Sequence, residues 1–526
     1  MLQRSKKTKS SFTQDDQGRT ILGSAKEMAD WVKIGFDEQD KKRNPAIPFQ
    51  HNYIDLSNCV LYVSYPIGSK NTVSQIFNLC DLAGIVPGIE KIEGDPYYLF
   101  EVKYDIHLDG SVLYGNFFHY VKFDGNVIMD GATVLYGISS CFKCFFGGYV
   151  YMQQIHLKGG FSFEQCEFSN GLIMHGAEVG GINAHFNNSI FKECLSLSES
   201  SFSNQPYSYS IELSKCIVEN FNISRINTDG ISIIINDSSI YGLKMNNLKL
   251  DGTVRFDSCT LDGMITLVKD EDRSNNQIKE LLFHSCIIKA QYHIENSEID
   301  LLSFTFGKIE NTGRLRLSQS NVKDLLICSS SVFGQMDLVN NKFEKINLIE
   351  SCVPGYLNYQ GNEVERYENR QTLRLLKNEA IKINDQVSAI HLYAQEMLML
   401  LSDNSVSIGD KVSLWFSKFF SNFGESWAKA IVVTLGFSIV FTLLMLGFGS
   451  ANYMFNSSGT FIGIAPFVTI LLDSINVFSI PLFSETIKEY DLNVLGQILY
   501  FVIKLVVAYG SYQFIVAFRK HGRGSL

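Results

Sequence analysis

Large apolar residues recur every five positions through most of this chain. From Ile106 they fall at Leu108, Leu113, Phe118, Phe123 and Ile128, each led two positions earlier by Ile106, Ser111, Asn116, Val121 and Asn126. A helix repeats every 3.6 residues and a two-faced strand every 2, so neither gives that spacing. A coil that turns a corner every five residues does, and such coils bury their apolar faces by stacking into a solenoid. The beat returns at Leu317, Val322, Ile327 and Val332 and, after one inserted residue, at Leu338, Phe343, Leu348 and Val353. Between them lie Leu243–Met245, Leu248–Leu250, Val254–Phe256, Cys259–Leu261, Leu281–Phe283, Cys286–Ile288, Tyr292–Ile294 and Ser297–Ile299. Ile54, Leu56, Cys59 and Leu61 share the register, which starts the solenoid at residue 54 and leaves an insertion near 65–97.

The expected fold is mainly β: a right-handed four-sided β-helix over 54–362, one pentad to a side and about 20 residues to a coil. At about 4.8 Å per coil, a dozen coils make a rod on the order of 60 Å long. Large residues stack on the axis and small ones fit beside them. An irregular β-helix with longer coils is the alternative.

The spacing resembles that of pentapeptide-repeat proteins, whose pattern is a small residue, Asp or Asn, Leu or Phe, then two polar residues. The resemblance covers about half the chain and is degenerate. Ser, Cys or Asn often takes the small position, and the Asp/Asn is usually missing. Acidic rods of this family can imitate DNA. A net charge of −9 with Lys and Arg spread along the rod argues against that role here, and no nucleic-acid partner is expected.

No catalytic constellation stands out: the histidines are scattered, with no H-x-x-x-H, no G-x-S-x-G and no Walker loop. The chain is not expected to be an enzyme or to hold a cofactor. Cys59, Cys166, Cys216, Cys259 and Cys286 fall on the small interior position, where packing explains them. Cys141 and Cys144 form one C-x-x-C without a second half at zinc spacing, so no metal is expected. The N-terminus, M-L-Q-R-S-K-K-T-K-S, has no apolar signal segment, which suits a cytosolic rod with reduced thiols.

Residues 1–53 read as a basic disordered tail and a capping helix, with Ala25, Met28, Trp31 and Ile34 at helical spacing. The alternative role for that helix is docking to a partner or a membrane surface. Residues 203–208 and 269–276 break the beat and are expected to leave the rod as loops. After Val353 the period becomes helical, through Leu373, Leu376, Ala380, Ile383, Val387, Ile390, Ala394, Met397 and Leu401. This predicts one long helix or two that turn back at Asn384–Asp385, with Asp385 as an N-cap. Arg374, Leu375, Lys377, Asp385, Ala389, Tyr393 and Glu396 resemble the segment that follows the repeats in bacterial membrane-associated pentapeptide-repeat proteins. That resemblance implies a helical hairpin and linker over 363–426, with Arg374, Asp385, Tyr393 and Glu396 coupling rod to membrane.

Residues 427–526 read as a membrane domain. Residues 430–449 carry no charge and 494–518 carry one, Lys504, so each is long enough to cross a bilayer. Between them, 461–483 is apolar but holds Pro466, Asp473 and Pro481, and is a third crossing or a re-entrant or interfacial segment. Lys411, Lys418 and Lys429 before the first span and Arg519, Lys520, His521 and Arg523 after the last put both flanks in the cytosol. That favours two crossings, in a bacterial inner (cytoplasmic) membrane.

The layout resembles two-span ion channels, but no T-V-G-Y-G-like filter lies in 461–483, so potassium selectivity has no support. Thr469, Asp473, Ser474, Asn476 and Lys504 remain as candidate pore or intramembrane polar residues. Two functions are expected from this arrangement. One is a membrane effector, with a rod that senses a protein or small-molecule trigger and a homo-oligomer whose spans open or disrupt the bilayer, by analogy with antiviral defence proteins. The other is a non-conducting scaffold, tethered to the lipid bilayer, whose rod binds a partner.

Overall fold

A computed structural model describes residues 12–42, 53–61, 63–67, 72–76, 83–85, 89–95, 97–114, 118–135, 139–180, 183–202, 209–228, 230–269, 276–449, 465–476 and 493–522. The chain divides into two units, Met1–Arg366 and Tyr367–Leu526.

The first unit is a parallel β-solenoid of about 11 turns. Its strands form four sheets of 7, 13, 12 and 13 strands, in which the parallel strands pair with their counterparts one turn away and Ile89–Lys91 adds antiparallel to Phe100–Val102 at one edge. The interior is built of stacked rings. Phe123, Phe146, Phe168 and Phe191 stack at 5.0, 4.7 and 4.6 Å between centroids. Phe256, Phe283 and Phe304 repeat the arrangement at 4.9 and 4.5 Å. These distances match the spacing of hydrogen-bonded strands, so identical side chains pack as tightly as their backbones allow. Phe123, Phe256, Leu317 and Phe343 are all buried, as the five-residue beat predicts.

The small interior position has a chemical reason. At this corner a backbone carbonyl points inward, and the small side chain answers it from the next turn. The Sγ–H of Cys166 donates to the Cys141 carbonyl, that of Cys216 to Phe186 and that of Cys286 to Phe256. The hydroxyls of Ser189 and Ser330 do the same toward Phe163 and Phe304. Ser and Asn also accept a backbone N–H from the preceding turn. Ser297 N donates to Ser320 Oγ, Ser320 N to Asn341 Oδ1 and Asn341 N to Asn362 Oδ1. A buried corner needs these bonds, which alanine could not supply. Burial pushes the thiols of Cys141 and Cys144 well up, so both stay neutral.

Turns are longer than four pentads. Corner side chains reach equivalent positions 21 to 23 residues away. The residue before the corner is left-handed, as at Tyr120, Lys143, Gln165, Asn188, Lys215 and Asp237. A second left-handed column includes Gln154, Gly176, Glu199, Arg225 and Asn247. These tight corners add residues that a strict pentad lacks. The register at Asn126 and Ile128 is corrected for this reason: Val127 and Met129 are buried, and Ile128 is half-buried. Asn126 instead sits at a corner, where its Oδ1 accepts Tyr149 N. Neighbouring Gly125 passes so close to the turn below that a Cβ there would lie 2.4 Å from Asp105 Oδ1. At the other end Val353 is only half-buried, and Asn116 lies outside the described residues.

The 7-stranded sheet stops at Ser201–Phe202, and from Lys249–Asp257 onward two sides of each turn join into strands of eight or nine residues, such as Asn276–His284 and Ser297–Thr305. The expected loop over 269–276 is therefore shorter. Asn276 is a fully buried strand residue whose Oδ1 accepts Leu248 N and whose Nδ2 donates to Ser297 Oγ. Residues 203–208 and 270–275 lie outside the described residues. Within the insertion, Val63–Ile67 and Thr72–Ile76 form an antiparallel pair, and the stack resumes when Cys59–Leu61 meets Val112–Leu113.

Helix α1 (Ala25–Lys42) opens on a capping arrangement in which Ser24 Oγ accepts Glu27 N and Glu27 Oε2 accepts Gly23 N. Its buried side chains are Met28, Ala29, Trp31 and Val32, while Ala25 and Ile34 are only half-buried.

Candidate functional site

The second unit is helical: α2 (Arg370–Lys382), α3 (Gln386–Ser402), α4 (Ile408–Ser421), α5 (Trp427–Leu444), α6 (Ala465–Ile475) and α7 (Val494–Gly522). Two stretches, Trp427–Gly447 and Val494–Lys520, are long and apolar enough to cross a membrane. The pairing of α5 with α7 rests on small and hydroxyl side chains. Ala430, Thr434, Ser438 and Thr442 make one buried stripe, one turn apart on α5. The hydroxyls of Thr434, Ser438 and Thr442 each donate to the carbonyl four residues back, so all three are paired within the helix. Gly510 on α7 faces this stripe; a Cβ there would lie 2.0 Å from Thr434 Oγ1. Such close approach supports helix pairing in a medium that offers no hydrophobic drive. Sequence reading by hydropathy missed this stripe, although its four-residue spacing was visible.

At the far end of this pair α6 packs against α5 and α7. Met445, Ile470, Tyr500, Ile503 and Val507 form its core. Lys504, 7% exposed, ends α6: its Nζ donates to the main-chain carbonyls of Asp473 and, at 2.8 Å, of Asn476. A cation at a helix C-terminus meets both the open carbonyls and the negative end of the dipole. The Tyr500 hydroxyl donates to the Asp473 carboxylate. The structure thus brings Asp473 and Lys504 to one junction. Ser474 is buried beside them and donates to Leu471 O, whereas Thr469 and Asn476 are exposed.

At the near end Glu396 is a hub. Its carboxylate, 3% exposed, receives Arg374 Nε at 2.6 Å and Lys377 Nζ at 2.7 Å, with Arg370 at 4.0 Å. Burial alone would push this carboxyl up; the hydrogen bonds from Lys377 and Arg374 outweigh it and hold the group below its ordinary 4.5. Tyr393 lies between two ammonium groups, Lys377 at 5.5 Å and Lys520 at 4.1 Å from its ring. Lys520, at the end of α7, also donates to Phe423 O. Asp385 does not join this cluster; its Oδ1 accepts Ser388 N and caps α3, after a left-handed Asn384. Arg374, Tyr393 and Glu396 thus lock α2, α3 and the end of α7 together. Lys377 and Lys520, the two cations on Tyr393, were not among the expected coupling residues.

Among the described residues no group of three His, Cys, Asp or Glu is placed to hold a metal ion. Two open grooves lie on the solenoid. One, of about 440 Å³, is lined by Lys249, Asp251, Lys279, Glu298 and Asp300 among others; the second, of about 410 Å³, includes Tyr97, Tyr98, Lys143 and Lys215. The fold and site define a β-solenoid chain with a helical unit in which two helices are long and apolar enough to cross a membrane. No protein-family profile, curated protein or solved structure matches the chain.

Proposed function

We propose that this chain is a bacterial membrane effector of the inner membrane. In this reading the rod is a right-handed four-sided β-helix of the degenerate pentapeptide-repeat type and lies in the cytosol, where it binds a protein or small-molecule trigger. The α2–α3 hairpin couples that event to the bilayer. Several copies bring α5, α6 and α7 together into an assembly that conducts or disrupts the membrane, in the manner of a defence effector. Both flanks of the membrane segment face the cytosol.

The observation that carries the reading is α6. Its 11 described residues, Ala465–Ile475, span about 16 Å, half of a hydrocarbon core of about 30 Å, and it packs on two helices of spanning length and ends on a buried lysine. A simple anchor has no need of a third apolar helix packed on its spans, and a buried charge in an apolar segment is costly, so its presence points to a function. The grooves on the solenoid offer places for a trigger. One observation favours the second reading, a non-conducting scaffold: Asp473 and Lys504 already find partners inside one chain.

The test is planar-bilayer recording of the purified, assembled protein beside Asp473→Leu and Lys504→Leu. The effector reading expects an oligomer in detergent, current from wild type and altered current from both variants at unchanged membrane insertion. A monomer, or an activated oligomer without conductance, leaves the scaffold.

A further inference from the structure

Helix α4 presents an apolar face that the described residues leave exposed. Ile408, Val412, Trp415, Phe416 and Phe419 are 83, 49, 52, 41 and 37% exposed. At 3.6 residues per turn all five fall within an arc of about 100°. Trp415 and Phe419 stack at 5.4 Å, so the face is ordered without being buried. The C-terminal end of the helix is its buried part. Phe420 packs on Phe437 of α5 and Tyr509 of α7, and Ser421 donates to Gln513 of α7 at 2.8 Å.

Two further observations say what covers the open face. Phe419 also meets Phe437, and Phe416 meets Tyr509, at 5.7 and 6.0 Å. Both partners lie well inside the apolar stretches of α5 and α7, so the open face of α4 continues into the exposed apolar sides of those helices, among them Val440, Leu444, Leu505 and Tyr512. A surface that adjoins two spans shares their solvent. The charges agree. Lys411 and Lys418 flank the apolar arc on one edge, and the acid on this helix, Asp410, is spent at its N-terminus on Ser407. Aromatic side chains with lysines at their edge suit the boundary between acyl chains and phosphate headgroups.

We infer that α4 is an interfacial helix that lies in the headgroup boundary of the bilayer, its Ile408–Val412–Trp415–Phe416–Phe419 face against acyl chains and Lys411 and Lys418 toward lipid phosphates. The inference rests on the membrane reading and adds a further membrane contact, one that crosses nothing. It makes the segment between Glu396 and the first span a lipid-bound element rather than a free linker, and it fixes the depth at which α5 enters.

Tryptophan quenching by brominated lipid tests it. The chain has three tryptophans, Trp31, Trp415 and Trp427. Full-length wild type, Trp415→Phe and Trp427→Phe are reconstituted in vesicles of phosphatidylcholine and phosphatidylglycerol, brominated either near the ester end or near the methyl end of the chains. Trp31 contributes the same background to all three proteins. The expected result is that Trp427→Phe, which keeps Trp415, is quenched at least half as strongly as wild type by shallow bromines and weakly by deep ones. If Trp427→Phe is not quenched while Trp415→Phe is, the face of α4 is covered by water or by a second copy, and the inference falls while the membrane reading stands. Stronger quenching of Trp415 by deep bromines also overturns the interfacial placement. Quenching of neither variant removes the membrane reading and this inference together.

Discussion

Replacing Phe283 by alanine tests the solenoid core at its most repetitive point. Phe283 is 1% exposed, stacks on Phe256 and Phe304 with rings 2° from parallel, and meets Tyr292 edge-on at 5.3 Å. The substitution removes a whole ring from between two others that cannot close the gap, because their positions are set by strand spacing. The cost is about 3–5 kcal/mol, at the upper end if both stacking contacts are lost with the buried area. Each turn touches only its neighbours, so the damage should be local. Hydrogen exchange read by mass spectrometry is therefore a better assay than a global melt. Amides in 251–257, 276–284 and 297–305 should lose protection by roughly 100- to 3,000-fold, while those in 118–168 stay as they were. Phe306 is the control. It sits two residues past Phe304, is 62% exposed and left-handed, and Phe306→Asn should stay within about 1 kcal/mol of wild type. If Phe283→Ala exchanges like wild type, or Phe306→Asn is the more damaging, the register of the core is wrong.

Glu396→Gln should weaken the α2–α3 pairing by about 2–3 kcal/mol, below the cost of breaking a fully dry pair because Arg374 stays half in water. The sign with pH follows from its lowered pKa: the contribution is full at neutral pH and is lost as pH falls through the folded value below 4.5. Wild type should therefore lose exchange protection over 370–402 on acidification, and Glu396→Gln should lack that step; a step of the same size in the variant would show that Glu396 does not drive it. Gly510→Ala should lower the melting temperature in detergent by several degrees, since its Cβ would lie 2.0 Å from Thr434 Oγ1, and Thr434→Gly in the same chain should restore much of the loss. An unchanged melt for Gly510→Ala would mean that α5 and α7 are not so closely packed.

Much of the architecture was legible because its signals are local and periodic. A five-residue beat can be satisfied only by stacked coils, and runs such as 430–449 and 494–518 announce by composition alone helices long and apolar enough to cross a membrane. Asp385 was readable as a cap because a cap needs only the three residues after it. Three features were decided by tertiary structure. The corner at Asn126 carries an extra residue that shifts Ile128 off the axis, and no period reveals it, since left-handed corners are chosen by what the neighbouring turn can hydrogen-bond. Asn276 looks like the end of a polar loop, yet it is core, because Leu248 N and Ser297 Oγ wait for it from adjacent turns. Asp473 and Lys504 were visible as two costly charges in apolar runs, but their solution was not. Only folding brings the end of α6 to α7, 28 residues further along the chain, where the lysine meets the carbonyls of Asp473 and Asn476. Sequence carries the period and the apolarity of each segment; contacts between segments distant in the chain are set by packing, and there the partners are named by geometry alone.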